Sequence, residues 1–263
     1  MRVFITGASS GIGAALARHY AAAGATLGLA ARRPKADSNQ RRLSDLVAEL
    51  SAKFPGEHAC YALDVADAAA LQKAAADFIT RFGCPDIVIA NAGISAGTLS
   101  GESEDIPVFR RVIETNVLGV VHTFAPFIDA MRTRGSGHLV GIASVAGIRG
   151  LPGAGAYSAS KAAVITYLES LRVELHGSGV RVVTIAPGFI ATPMTAKNPY
   201  AMPFLLPADE AARRFARAIA RGAGYAVIPW QMGLVAQVLR LLPDAVYDRV
   251  FSRAGRKPRG LDL

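Results

Sequence analysis

This sequence predicts an α/β fold built on a doubly wound, mainly parallel sheet of seven strands. Three observations carry that expectation. Short apolar or β-branched runs alternate with helical segments from end to end. Those runs are continuously apolar rather than alternating, as in strands covered on both faces. The longest irregular stretches, 32–40, 94–103 and 189–206, all follow strand carboxyl ends, where such sheets hold their ligands.

In chain order, residues 3–6 form the first strand and 11–23 a helix closed by Gly24, which suits the left-handed position after a helix. The second strand is 26–31, followed by a polar-faced helix over 41–54. The third strand, 59–63, leads to a helix over 68–82 and a fourth strand over 86–90. A long helix lies within 107–133, the fifth strand at 138–143, a helix at roughly 156–176 and the sixth strand at 181–186. A helix over 207–221 and a seventh strand at 225–228 complete the sheet. No internal repeat, low-complexity tract or linker interrupts the pattern, so one domain spans 1–263. Within it, 189–206 reads as a loop beside the site and 230–263 as a C-terminal extension.

Composition narrows the function. Of 263 residues, 51% are hydrophobic and 19% charged, which excludes a disordered chain. The net charge of +9 calls for an anionic partner, such as a phosphate-bearing ligand, an acidic protein or a membrane surface. Nucleic acid is not expected, because the basic residues are scattered among acids without a Cys/His finger or aromatic platform. Cys60 and Cys84 lack metal-ligand spacing and read as small buried thiols. Met1 runs directly into the first strand, so the expectation is a cytoplasmic protein without a signal peptide. Residues 222–239 carry no charge, yet Pro229, three glycines and two glutamines argue against a spanning helix.

Chemistry concentrates in two motifs. Thr6-Gly7-Ala8-Ser9-Ser10-Gly11-Ile12-Gly13 joins the first strand to the first helix. Glycines there let the backbone turn sharply and approach a pyrophosphate, which then lies on the helix N-terminus. Tyr157 and Lys161 stand one helical turn apart, with Ser144 thirteen residues before the tyrosine. A phenol of ordinary pKa, about 10, exchanges protons poorly at neutral pH. A neighbouring ammonium favours phenolate, so the group can trade a proton with a carbonyl oxygen. Beyond that turn, the stripe Val164, Leu168, Leu171 and Leu175 reads as core.

Taken together, these residues resemble the short-chain dehydrogenase/reductase family over nearly the whole chain. Thr6–Gly13 matches its TGxxxGxG loop, Asn91-Ala92-Gly93 its NAG element and Asn116 its helix asparagine. Ser144, Tyr157 and Lys161 match the catalytic triad, and Pro187-Gly188 the turn after the sixth strand. Ala90 stands where many members carry another Asn, and the glycine-rich end of strand seven is absent around 226–229. The resemblance implies a Rossmann-type sheet and a nicotinamide coenzyme. It implies that Tyr157 exchanges the proton, that Lys161 depresses its pKa and holds the nicotinamide ribose, and that Ser144 binds the substrate oxygen. Asn116 is implied to hold a helix kink and a proton path. Gly7, Ser9, Ser10, Gly11, Ile12 and Gly13 are implied to cradle the pyrophosphate. Asp64-Val65 would meet the adenine, although an Asp there could equally cap the next helix. Ile190 and Thr192 match positions that hold the carboxamide and phosphate.

The second strand ends Leu29-Ala30-Ala31-Arg32-Arg33, without the carboxylate that would accept from the 2′-OH of NAD. A guanidinium grips a 2′-phosphate instead, so NADP(H) is expected, with NAD(H) less favoured. Apolar residues in 189–206 point to a lid over a hydrophobic carbonyl or alcohol. Reduction of a 3-oxoacyl thioester on an acidic carrier protein is the main alternative, and a non-catalytic NADP(H)-binding sensor is another. Residues 230–259 mix apolar and basic side chains, so they pack on the domain or on a second subunit, with membrane contact less favoured. A homodimer or higher homo-oligomer is expected.

Overall fold

The computed structural model describes residues 1–32, 43–252 and 255–260. Arg33, expected at the coenzyme, lies outside these residues. The seven parallel strands are β1 (Arg2–Thr6), β2 (Thr26–Ala31), β3 (His58–Ala62), β4 (Ile87–Ala90), β5 (Gly137–Ile142), β6 (Val180–Pro187) and, later in the chain, β9 (Tyr225–Ile228). Their order, β3-β2-β1-β4-β5-β6-β9, reverses between β1 and β4. A crevice therefore opens beyond the carboxyl ends of those two strands.

Alternate residues of each strand feed opposite cores. Val3 and Ile5 of β1 pack with α1 (Gly11–Ala22), α2 (Leu43–Lys53) and α7 (Ala208–Ala220). Phe4 packs into the other core, with α3 (Ala68–Phe82), α5 (Gly119–Arg134) and α6 (Gly155–Glu174). Gly24 adopts φ +74 after α1, as expected of its position. The α6 stripe of Val164, Leu168, Leu171 and Leu175 is buried, which bears out its reading as core.

Three features depart from the sequence-based expectations. The segment read as one long helix divides into α4 (Asp105–Ile113), a π-helical turn at Glu114–Leu118, and α5. Loop 189–206 is not wholly irregular, because β7 (Ile190–Ala191) pairs in parallel with β8 (Leu206–Pro207) at its base. Cys60 is exposed and Cys84 only partly buried. Cys60 lies on β3, the edge strand of the sheet, where among the described residues it is left open to solvent.

The C-terminal segment forms the helices α8 (Trp230–Leu241) and α9 (Asp244–Phe251). They bury Met232, Ala236 and Tyr247 against the domain, but Trp230, Leu234, Val238 and Leu241 remain 55–83% exposed. Packing on the domain thus accounts for only part of this segment. Among the described residues, no helix is long and apolar enough to cross a membrane.

Candidate active site

The Gly-rich turn closes because two of its glycines are squeezed between backbones. A Cβ on Gly13 would lie 2.2 Å from the Gly7 carbonyl oxygen, and one on Gly7, at φ +67, 2.7 Å from Ala92 Cα. Asn91, at the end of β4, ties the loop down by donating through Nδ2 to the carbonyls of Thr6 and Gly7, at 3.0 and 3.1 Å. Ser10 is the N-cap of α1, yet its side chain accepts no capping hydrogen bond. Among the described residues the first-turn amides therefore receive no side-chain cap from Ser10 beside the cleft, which suits an anion site.

A cleft of about 610 Å³ runs from this turn across the carboxyl ends of the sheet. It collects nearly every residue anticipated from sequence. Gly7, Ser9, Ser10, Gly11 and Ile12 line one end with Arg32, Asp64 and Val65. Asn91, Ala92, Gly93, Ser144, Tyr157 and Lys161 form the middle, and Pro187, Gly188, Ile190 and Thr192 the far wall. Gly13 and Asn116 lie behind the lining, as supports.

At the open end, Asp64 accepts from Ala66 N at 3.0 Å and forms an ion pair with Arg111. Burial pushes its carboxyl up, but the Ala66 amide, Arg111 and Arg32 together hold it below its ordinary value. Capping of α3 falls instead to Asp67, which accepts from Ala70 N at 2.9 Å. Thr192 lies over the α1 N-terminus, so that a Cβ on Gly11 would touch its methyl group at 3.2 Å.

The floor of the cleft is built by α6, the π-helical turn and the end of β5. Asn116 is fully buried and exchanges two hydrogen bonds with the Ile94 backbone, at 2.8 and 2.9 Å. Its amide also donates to Ser160 Oγ at 3.0 Å, and Ser160 donates to the Tyr157 carbonyl at 2.7 Å. The wide turn is what lets Asn116 leave the helix ladder and reach both. Ser160 escapes motif reading, although a helical serine three residues after Tyr157 is placed to bond its carbonyl.

Lys161, only 4% exposed, donates to the Ile142 carbonyl at 2.8 Å and stands 5.8 Å from the Tyr157 ring centroid. Burial lowers its pKa to about 8. Burial also raises the Tyr157 phenol; the neighbouring Ser144 hydroxyl pulls the other way, and Tyr200 adds to the rise. Desolvation thus sets the direction, and the depression expected from Lys161 does not arise: Ser144 alone pulls the phenol down. Ser144 is 8% exposed and begins a short 3-10 turn, accepting from Ala146 N at 3.2 Å. The arrangement can hold a carbonyl oxygen between two hydroxyls, with a fixed ammonium below.

Residues 1–202 match the short chain dehydrogenase family. The chain is 37% identical over 252 residues to an uncharacterized oxidoreductase of Myxococcus xanthus, covering 95% of each protein. Two solved structures share the fold closely. One is a short chain dehydrogenase/reductase from Burkholderia phymatum in complex with NAD, at 27% identity and TM-score 0.81, with 99% of this chain and 98% of that one covered. The other is an alcohol dehydrogenase from the archaeon Thermococcus sibiricus complexed with 5-hydroxy-NADP, at 29% identity and TM-score 0.74, covering 86% and 95%. With the family match spanning most of its length and its seven-stranded sheet in the family's arrangement, this chain belongs to the short-chain dehydrogenase/reductase family, a family of oxidoreductases.

Proposed function

We propose that the protein transfers a hydride between NADP(H) and a hydrophobic carbonyl or alcohol, with Tyr157 as general acid/base. The observation that carries this reading is the convergence of Ser144, Tyr157 and Lys161 on one cleft floor, beside a Gly-rich turn suited to a dinucleotide. The bound nicotinamide supplies the hydride in reduction. Ser144 hydrogen-bonds the carbonyl oxygen, where charge develops as its carbon is reduced. Tyr157 donates a proton to that oxygen, giving the alcohol, and takes one back in the reverse direction. Lys161 stabilises the phenolate left behind.

Ser9, Ser10, Gly11 and Ile12 would hold the pyrophosphate at the α1 N-terminus, and Pro187, Gly188, Ile190 and Thr192 the nicotinamide end. Arg32 would grip a 2′-phosphate. Asp64 would repel that phosphate if its charge were bare, but its ion pair with Arg111 offsets it. Charge-assisted hydrogen bonds of about 1.5–3 kcal/mol give roughly a ten- to hundredfold preference for NADPH. Initial-rate kinetics with both coenzymes test this, and equal kcat/KM would refute it. Arg32→Ala is expected to erase the preference.

The substrate's apolar body would lie under 189–206. There Met194, Phe204 and Leu205 are 39–50% exposed, so core packing does not account for them. A homodimer or higher homo-oligomer belongs to the same proposal, formed through the exposed α8 stripe. Leu234→Glu with Val238→Glu is expected to shift the light-scattering mass toward that of one chain. A mass that does not move would remove α8 from the interface.

A further inference from the structure

After α9 the chain returns to the catalytic floor as a strap over 255–260. Gly97 N donates to the Pro258 carbonyl at 2.8 Å, and Gly97 bridges in parallel to Arg259. The approach is so close that a Cβ on Gly97 would lie 2.3 Å from the Lys257 carbonyl oxygen. Arg259 clasps Asp105 through Nε and Nη2, at 2.9 and 3.3 Å, and Asp105 is itself buried. Tyr200 of the 189–206 loop lies against Gly255, and Arg256 against Gly153. Both ends of the strap are therefore fixed around its middle residue.

That middle residue is Lys257. Its Nζ donates to Ser95 Oγ at 2.7 Å and stands 5.6 Å from the Tyr157 ring centroid. The side chain is half-buried, and burial lowers its pKa. Among the described residues no carboxylate lies within ion-pair distance of it, and the Asp105 carboxylate that holds the strap is committed to Arg259. A half-buried ammonium that has no counter-ion among the described residues is costly, and strained electrostatics of this kind cluster where a ligand completes them. One ammonium with one hydroxyl matches a compact monoanion.

We infer that Lys257 is a specificity-determining residue whose ammonium, with Ser95, receives a carboxylate carried by the substrate close to the carbonyl that Tyr157 protonates. The substrate class is then an oxo acid with an apolar body, not a neutral ketone. This rests on the reductase reading above and deepens it. No step of the chemistry changes, because the carboxylate stays ionised and unreacted while hydride and proton add across the carbonyl.

The test compares NADPH-dependent reduction of 2-oxo-4-phenylbutanoate and its ethyl ester. In Lys257→Met, the ratio of kcat/KM for acid over ester is expected to fall about 10- to 100-fold, chiefly through KM for the acid. Lys257→Arg is expected to keep the ratio within a few-fold. A lysine that only anchors the strap would lower both substrates together and leave the ratio unchanged. That result, or a wild type that reduces the ester and not the acid, overturns the inference and leaves the reductase reading standing. Wild-type protein that reduces neither compound, nor any carbonyl in a wider panel, overturns the reductase reading and this inference with it.

Discussion

Tyr157→Phe is expected to lower kcat by about 10²–10⁴, the usual contribution of a positioned proton donor. The substitution removes one oxygen and keeps the ring that packs beside Lys161 and Lys257. NADPH affinity, read by fluorescence titration, should therefore stay within about twofold, since the ring's packing is retained. The phenol's raised pKa keeps its proton in place at neutral pH, so the resting group is the acid that reduction requires. Delivering that proton creates a phenolate in a desolvated site, which is costly unless Ser144 and Lys161 stabilise it. A variant retaining more than a tenth of wild-type kcat would remove Tyr157 from the proton transfer.

Lys161→Met carries the second large effect. Losing the ammonium beside the phenolate removes stabilisation on the scale of a charge-assisted hydrogen bond, about 1.5–3 kcal/mol, or roughly a 10- to 100-fold loss in kcat. The pH profile adds a sharper signature. With its pKa lowered to about 8, Lys161 loses its charge as pH rises through that value, and wild-type reduction should decline there. The methionine variant lacks this limb. Stability moves the other way. Between about 8 and the ordinary 10.5, the unfolded chain binds more protons at this lysine than the folded one. Its contribution to unfolding free energy therefore rises with pH across that window. Urea unfolding at pH 7.5 and 9.5 should show wild type gaining on Lys161→Met at the higher pH. A constant difference would mean that Lys161 is not desolvated as described.

The sheet is legible in the sequence because buried parallel strands leave continuous apolar runs, and every one of the seven lies within a residue or so of its expected place. The site is legible to the extent that it is local. Gly7 to Gly13, and Tyr157 with Lys161, are short motifs whose spacing already implies their geometry. Ser160 sits inside that same stretch, and the i−3 backbone bond of a helical serine is the signal that could have found it. Pairings across the fold leave no such mark. Arg111 meets Asp64 from a separate helix 47 residues along, and Lys257 reaches Ser95 across 162 residues. The break in the 107–133 helix is announced only by the kink that the family resemblance implies at Asn116. The apolar pattern continues through it, so periodicity alone reads one helix.

That break has a bearing on how the chain tolerates change. A π-helical turn holds one residue more than an α-helical turn would, so α4 and α5 are out of phase with each other by about 100°. Deleting a single residue between Glu114 and Leu118 would bring the two helices into phase and lengthen the regular ladder. It would also swing α4 around its axis, carrying Asp105 away from Arg259 and the strap it secures. The extra residue works as a rotary offset, setting the angular position of α4, and of the Asp105 that holds the strap, against a sheet that does not move.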